Sequence, residues 1–148
     1  MSDIVYISIE EARKTHINTI KYSGGGTLDV LDINKLDGVL KNIQNDEWYP
    51  SFVDKLTHLF FCTCQFHSFA DGNKRLAITL STLFLLKNGY LFIAKDFLAK
   101  TENISLNVAA SKISKELLHK ILDAIMRDTY DDDEALKLEI YQAINKKL

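Results

Sequence analysis

Nine consecutive residues, His67-Ser68-Phe69-Ala70-Asp71-Gly72-Asn73-Lys74-Arg75, join a titratable base, a carboxylate, a glycine turn, an amide and two cations. They fall where one apolar helical pattern ends and another begins. A helix starting near Asn73 or Lys74 leaves its first backbone N–H groups unpaired, and those donors together with the helix dipole favour an anion. Gly72 lets the backbone approach a phosphate with no Cβ in the way. Asn73 can donate to a phosphoryl oxygen that gains charge in a transition state. Arg75 offers a planar fork for phosphate and Lys74 a point charge. Asp71 is the residue type that holds Mg²⁺, a hard cation that travels with nucleotide phosphates. His67 titrates near neutrality and can take the proton of an attacking hydroxyl. The set supplies nucleophile activation, metal binding and charge neutralisation for phosphoryl or nucleotidyl transfer.

Taken singly, each residue has a plainer role. His67 can meet the negative end of a helix. Asp71 can cap the next helix. Gly72-Asn73 is a common turn pair, and Lys74 and Arg75 can simply be solvated. Phe69 reads as an apolar anchor for the loop. An ordinary inter-helix turn does not need His, Asp and Arg together, so their co-occurrence favours chemistry.

The elements that must hold this loop read as helices. A single proline, Pro50, and 3.6-residue periodicity predict an all-α protein. Ser8 and Glu11 fit a capping box that opens a helix running to about Tyr22. Ser23-Gly24-Gly25-Gly26 breaks it. Asp32 is placed to cap a second helix carrying Leu36, Val39, Leu40 and Ile43. After a break at residues 45–50, Ser51 caps a third helix with Phe52, Leu56, Leu59, Phe60 and Thr63. A fourth runs from about Lys74 to Asn88 and stops at Gly89. These two are apolar nearly all round, so a central helix–loop–helix is expected to grip the motif rigidly. Further on, Asp96 suggests the cap of a short helix, a longer helix is expected from about Asn107 to Arg127, and Asp131–Glu134 opens a last one. No linker or repeat divides residues 1–148, which predicts one domain.

A formal net charge of −2 gives no global basic field, so no nucleic-acid partner is expected. The N-terminus lacks the pattern of a signal peptide, and no apolar run is long enough to span a bilayer. The sequence therefore reads as cytoplasmic, with no membrane association. Cys62 and Cys64 lie two apart on a helix, point apart and read as reduced thiols.

His67-x-Phe69-x-Asp71-Gly72-Asn73-x-Arg75 resembles the signature of the Fic/Doc (Fido) superfamily. The stretch from Ser8 to His16, residues 24–26, Asp32–Ile43 and residues 83–90 resemble the layout of Doc-type, death-on-curing toxins. The resemblance spans about the first 95 residues and implies a Fic-like helical bundle, with a short flap before the motif helix. It also implies transfer from ATP to a Ser, Thr or Tyr hydroxyl of a protein. His67 would be the catalytic base and Asp71 the Mg²⁺ ligand, with Gly72, Asn73, Lys74 and Arg75 cradling ATP phosphates.

Most members with the full motif transfer AMP, whereas Doc-type members phosphorylate. AMP-transferring members usually have Gly where this chain has Lys74, and a second Arg where it has Ile78. Both departures resemble Doc, although Gly72 is closer to the AMP-transferring pattern. Phosphorylation is the expectation, with AMPylation or a non-catalytic nucleotide- or partner-binding module as alternatives. The implied target is a translation factor such as elongation factor EF-Tu. Family members often inhibit themselves through Ser/Thr-x-x-x-Glu-Gly/Asn. Ser111–Lys115 has Lys in the Glu position, which implies a separate antitoxin chain.

Three other groups have competing roles. His58 and Cys62 share a helix face but lack the further ligands of a usual zinc site. Trp48-Tyr49-Pro50 reads as a packed loop anchor, or as an extended flap that binds a target segment by strand addition. His16 reads as a partly buried structural histidine.

Overall fold

The computed structural model describes residues 3–22, 33–65 and 73–146. These residues form α1 (Ile9–Tyr22), α2 (Ile33–Asn42), α3 (Phe52–Cys64), α4 (Asn73–Lys87), α5 (Leu91–Ala109), α6 (Lys115–Met126), a 3₁₀ turn (Tyr130–Asp132) and α7 (Glu134–Ile144), and no strand occurs among them. The fold is all-α, as the periodicity predicts. The glycine loop at 24–26 and the expected cap Asp32 lie outside the described residues.

The apolar stripes converge on one core. Leu36, Leu40 and Ile43 meet Leu56, Leu59 and Phe60 of α3, all essentially sealed from solvent, as are Leu76, Leu80 and Phe84 of α4. α4 is the hub, packing against α5, α3 and α1. Phe52 stacks on Phe84 with ring centres 4.6 Å apart and lies 4.9 Å from Tyr90, which joins the start of α3 to the end of α4. Such contacts add specificity to apolar burial.

Local chemistry explains most helix starts. Ser8 Oγ accepts from the Glu11 N–H at 3.1 Å, while Glu11 Oε1 accepts from the Ser8 N–H at 3.2 Å. The other Glu11 oxygen holds Lys87 of α4 at 2.7 Å. That lysine contact, with the Ser8 cap, keeps the Glu11 carboxyl below its ordinary range. One side chain thus caps α1 and ties it to the hub. Asn88 adds a second tie, accepting from the Val5 N–H at 2.8 Å and donating to the Val5 carbonyl at 2.9 Å.

Gly89 ends α4 as expected. Its φ is +85°, its N–H reaches the Leu86 carbonyl and the Tyr90 N–H reaches that of Leu85, a Schellman closure. The later helices depart from the sequence reading. Asp96 lies inside a continuous α5, and the helix expected from Asn107 to Arg127 is divided between α5 and α6. The division is a second Schellman closure without glycine. Ser111 takes φ +61°, its N–H reaches the Val108 carbonyl, and the Lys112 N–H reaches that of Asn107. Ser114 then caps α6 by accepting from the Leu117 N–H at 3.1 Å. Asp128, at φ +58°, closes α6 the same way.

Before α3, the chain does not take the extended alternative. Residues 45–50 form turns: Asn45 Oδ1 accepts from the Glu47 and Trp48 N–H groups, and the Tyr49 N–H returns to the Asn45 carbonyl. An Asx turn satisfies this backbone internally and leaves no extended edge for strand addition.

Candidate functional site

α3 ends at Cys64 and α4 begins at Asn73. His67, Asp71 and Gly72 lie between them, outside the described residues, so the structure speaks to the frame of the motif. On the α3 side, Gln65 finishes the helix and its Nε2 donates to the Val108 carbonyl at 2.6 Å, binding the entry of the motif segment to the end of α5. On the α4 side, Leu76, Ala77, Ile78 and Leu80 are buried and fix the first turns in the core.

Lys74 and Arg75 are exposed in the first turn of α4, which contains no acidic residue. A helix start carries partial positive charge, so two added cations are intrinsically unfavourable there and suit a polyanion outside. Cys64 is buried, which pushes its thiol up to about 12, with Lys74 opposing the shift. The charge of Lys74 is thus felt at the end of α3. Cys64 is a core residue and holds its proton.

Ile78, one turn beyond Arg75, is 3% exposed. This position faces the core. A cation there would be desolvated and aimed away from a ligand at the helix start.

A second polar group lies in the first half of α3. Lys55 is fully buried; its ammonium donates to the Ile43 carbonyl at 2.7 Å and to Asp46 at 2.8 Å, and sits 5.6 Å from the Tyr6 ring centre. Burial alone lowers its pKa, but contacts with Asp46 and Tyr6 outweigh that and hold it above the ordinary lysine range. It ties the end of α2 and the following turn to α3.

His58 is 8% exposed, and Lys115 Nζ lies 2.8 Å from its Nδ1. An ammonium has no acceptor, so Nδ1 accepts and the ring proton sits on Nε2, facing Tyr49 Oη at 3.3 Å. Burial, then Lys115, depresses His58 to about 4. Cys62 Sγ is 3.6 Å from the ring, and burial raises that thiol despite Lys115. The His58 side chain is therefore held neutral by its burial and by a lysine brought from 57 residues along the chain. Nothing local in the sequence points to Lys115. The Ser51-x-x-Asp54 pattern, by contrast, is a legible capping signal: Ser51 Oγ accepts from the Asp54 N–H, and Asp54 accepts from the Ser51 N–H. Asp54 also contacts His119 at 2.8 Å.

His16 is buried at 4% exposure, which lowers its pKa. It belongs to the interior of α1, more deeply than a partly buried residue. Among the described residues no helix is long and apolar enough to cross a membrane.

Comparison with known proteins places this frame. A model of the Fic/DOC family matches residues 6–85, more than half of the chain, from just before α1 to near the end of α4. Searches of curated proteins and of solved structures gave no match.

Proposed function

The chain belongs to the Fic/Doc family, and from that premise we propose that it transfers the γ-phosphoryl group of Mg²⁺-ATP to a Ser, Thr or Tyr hydroxyl of a protein. In the coarser terms of the family, this is Fic-type nucleotidyl or phosphoryl transfer to proteins. The observation that carries the finer reading is the burial of Ile78. The position where AMP-transferring members resemble one another in carrying a second arginine here faces the core, so at its motif end α4 offers cations from the first turn alone.

In this mechanism His67 takes the proton of the target hydroxyl as its oxygen bonds to the γ-phosphorus. The bond from that phosphorus to the bridging oxygen breaks, and ADP leaves with the electron pair. Lys74, Arg75 and the first N–H groups of α4 neutralise the phosphate oxygens, with Gly72 and Asn73 completing the cradle. Asp71 would hold Mg²⁺, which supplies further charge neutralisation. The exposed cations and acid-free helix start fit a triphosphate.

The proposed target is a translation factor, with EF-Tu the first candidate, which implies a cytoplasmic setting. The proposed regulator is a separate antitoxin chain. Residues 111–114 support that regulator, because they form a turn between α5 and α6 with Ser111 at positive φ. They do not present the helical Ser/Thr-x-x-x-Glu face of a self-inhibiting segment.

Incubation with a bacterial lysate and ATP labelled at the α or γ phosphate tests the proposal. Label transferred from γ alone is expected. Transfer from α means AMP transfer, the reading that Gly72 favours, and transfer from neither, with nucleotide binding by calorimetry, means a binding module.

A further inference from the structure

The inner face of α5 is spent on the core, with Ala94, Phe97, Thr101, Ile104 and Val108 buried. The opposite face is unusually apolar for solvent: Leu91, Leu98 and Leu106 are 65%, 59% and 48% exposed. Lys95, Ala99 and Glu102 lie on the same face and are also exposed. The six positions are spaced 4, 3, 1, 3 and 4 residues apart, which reads the same in both directions. At 3.6 residues per turn they form a stripe symmetric about the midpoint between Leu98 and Ala99.

Chemistry follows the same symmetry. Reversal about that midpoint exchanges Leu91 with Leu106, Leu98 with Ala99, and Lys95 with Glu102. A two-fold axis makes the same exchange between two copies, since in an isologous contact residue i meets j and j meets i. Among the described residues neither Lys95 nor Glu102 forms an ion pair. We propose that the outer face of α5 is a homodimer interface, in which two copies of this chain pair α5 antiparallel about a dyad between Leu98 and Ala99.

In this pairing, Lys95 of each copy meets Glu102 of the other, so one contact supplies two complementary ion pairs. Leu91 of each copy packs on Leu106 of the other, and Ala99 beside Leu98 lets the helices approach at the axis. The helix is 19 residues long, about 28 Å at 1.5 Å per residue. Phe92, 69% exposed, extends the apolar area along one edge. One helix pair of that length falls near the lower limit of about 1,200 Å² for specific interfaces, so a reversible, concentration-dependent dimer is expected. The parallel alternative sets Lys95 against Lys95 and Glu102 against Glu102, which disfavours it.

Sedimentation equilibrium on the full chain, from low to high micromolar concentration, tests this. Wild type is expected to pass from monomer to dimer. Lys95→Glu and Glu102→Lys each place like charges across the dyad and should weaken self-association at least about tenfold. The double variant should recover it. An equimolar mixture of the two single variants should form a heterodimer that neither forms alone. Circular dichroism of each variant checks the fold, and both sites are exposed. A wild type that stays monomeric throughout, a dimer indifferent to both reversals, or a mixture that fails to associate would each overturn the proposal.

Discussion

At the start of α3, Ser51 and Asp54 close a capping box, Asp54 also holds His119, Lys55 is bound to Ile43 and Asp46, and His58 receives Lys115. At the start of α4, Lys74 and Arg75 are exposed in the first turn, with no acid there to answer the helix dipole. Both helices are core elements and both abut the motif segment. One start is finished for stability; the other puts cations where each costs about 0.3–1 kcal/mol. Among the helices, α1, α3, α6 and α7 carry acids in the first turn, and α2, α4 and α5 do not. The contrast singles out the exposed cations in the first turn of α4 as the feature that a bound anion would answer.

The largest test of this division is His67→Ala. Loss of a general base lowers rate about 10²–10⁴-fold. The label-transfer rate should fall by that much while the thermal midpoint hardly moves. A variant that modifies its target as fast as the wild type would remove His67 from the mechanism and leave α4's open end without its chemical partner.

The next effect belongs to α3 and is read as stability against pH. His58 is depressed from 6.5 to about 4 by burial and Lys115. The unfolded chain therefore binds a proton between those values that the folded chain refuses. Stability from this group is fully present above about 6.5 and is lost as pH falls toward 4. Urea midpoints should drop across that window, and His58→Gln should flatten the slope. An unchanged slope would mean that another group drives the acid transition.

Ser51→Ala is smaller. Removing an N-cap costs about 0.5–2 kcal/mol, or roughly 2–4 °C per kcal/mol for a chain of this size. Asp54 should respond too. Burial alone raises its pKa, and the Ser51 contacts and His119 outweigh that and hold it low. Without the Ser51 hydroxyl its carboxyl should titrate higher by NMR. Activity should be unchanged, since the cap serves the closed end alone.

The sequence made some of this contrast legible and hid the rest. Ser8-x-x-Glu11, the cap at Ser51 and the stop at Gly89 are local patterns, each readable because the chemistry lies within a few residues. The α5–α6 boundary is not legible because Ser111 adopts positive φ without glycine, and the apolar period carries across both sides of the break. The His58–Lys115 and Asp54–His119 contacts join residues 57 and 65 apart, so no window of sequence contains them. The motif's residue types were legible from spacing alone. What its frame adds is the orientation of Ile78 and the exposure of Lys74 and Arg75.

Lys74→Glu gives the smallest energy and the sharpest discrimination. Glutamate in a first turn is favoured by the dipole and lysine is not, so the exchange should stabilise α4 by about 0.3–1 kcal/mol. The side chain is exposed, so no packing is lost. If the first turn is merely a solvated surface, the thermal midpoint should rise and nothing else should change. If it is the phosphate cradle, the midpoint should rise while ATP affinity and label transfer fall, because a carboxylate now faces the triphosphate. Calorimetric titration with ATP beside a thermal melt reads both. A gain in stability with unchanged nucleotide binding would show that the open end of α4 is not held open for phosphate. The two measurements moving in opposite directions would identify the unfavourable lysine as a concession of stability to binding, which is the distinction between the starts of α3 and α4.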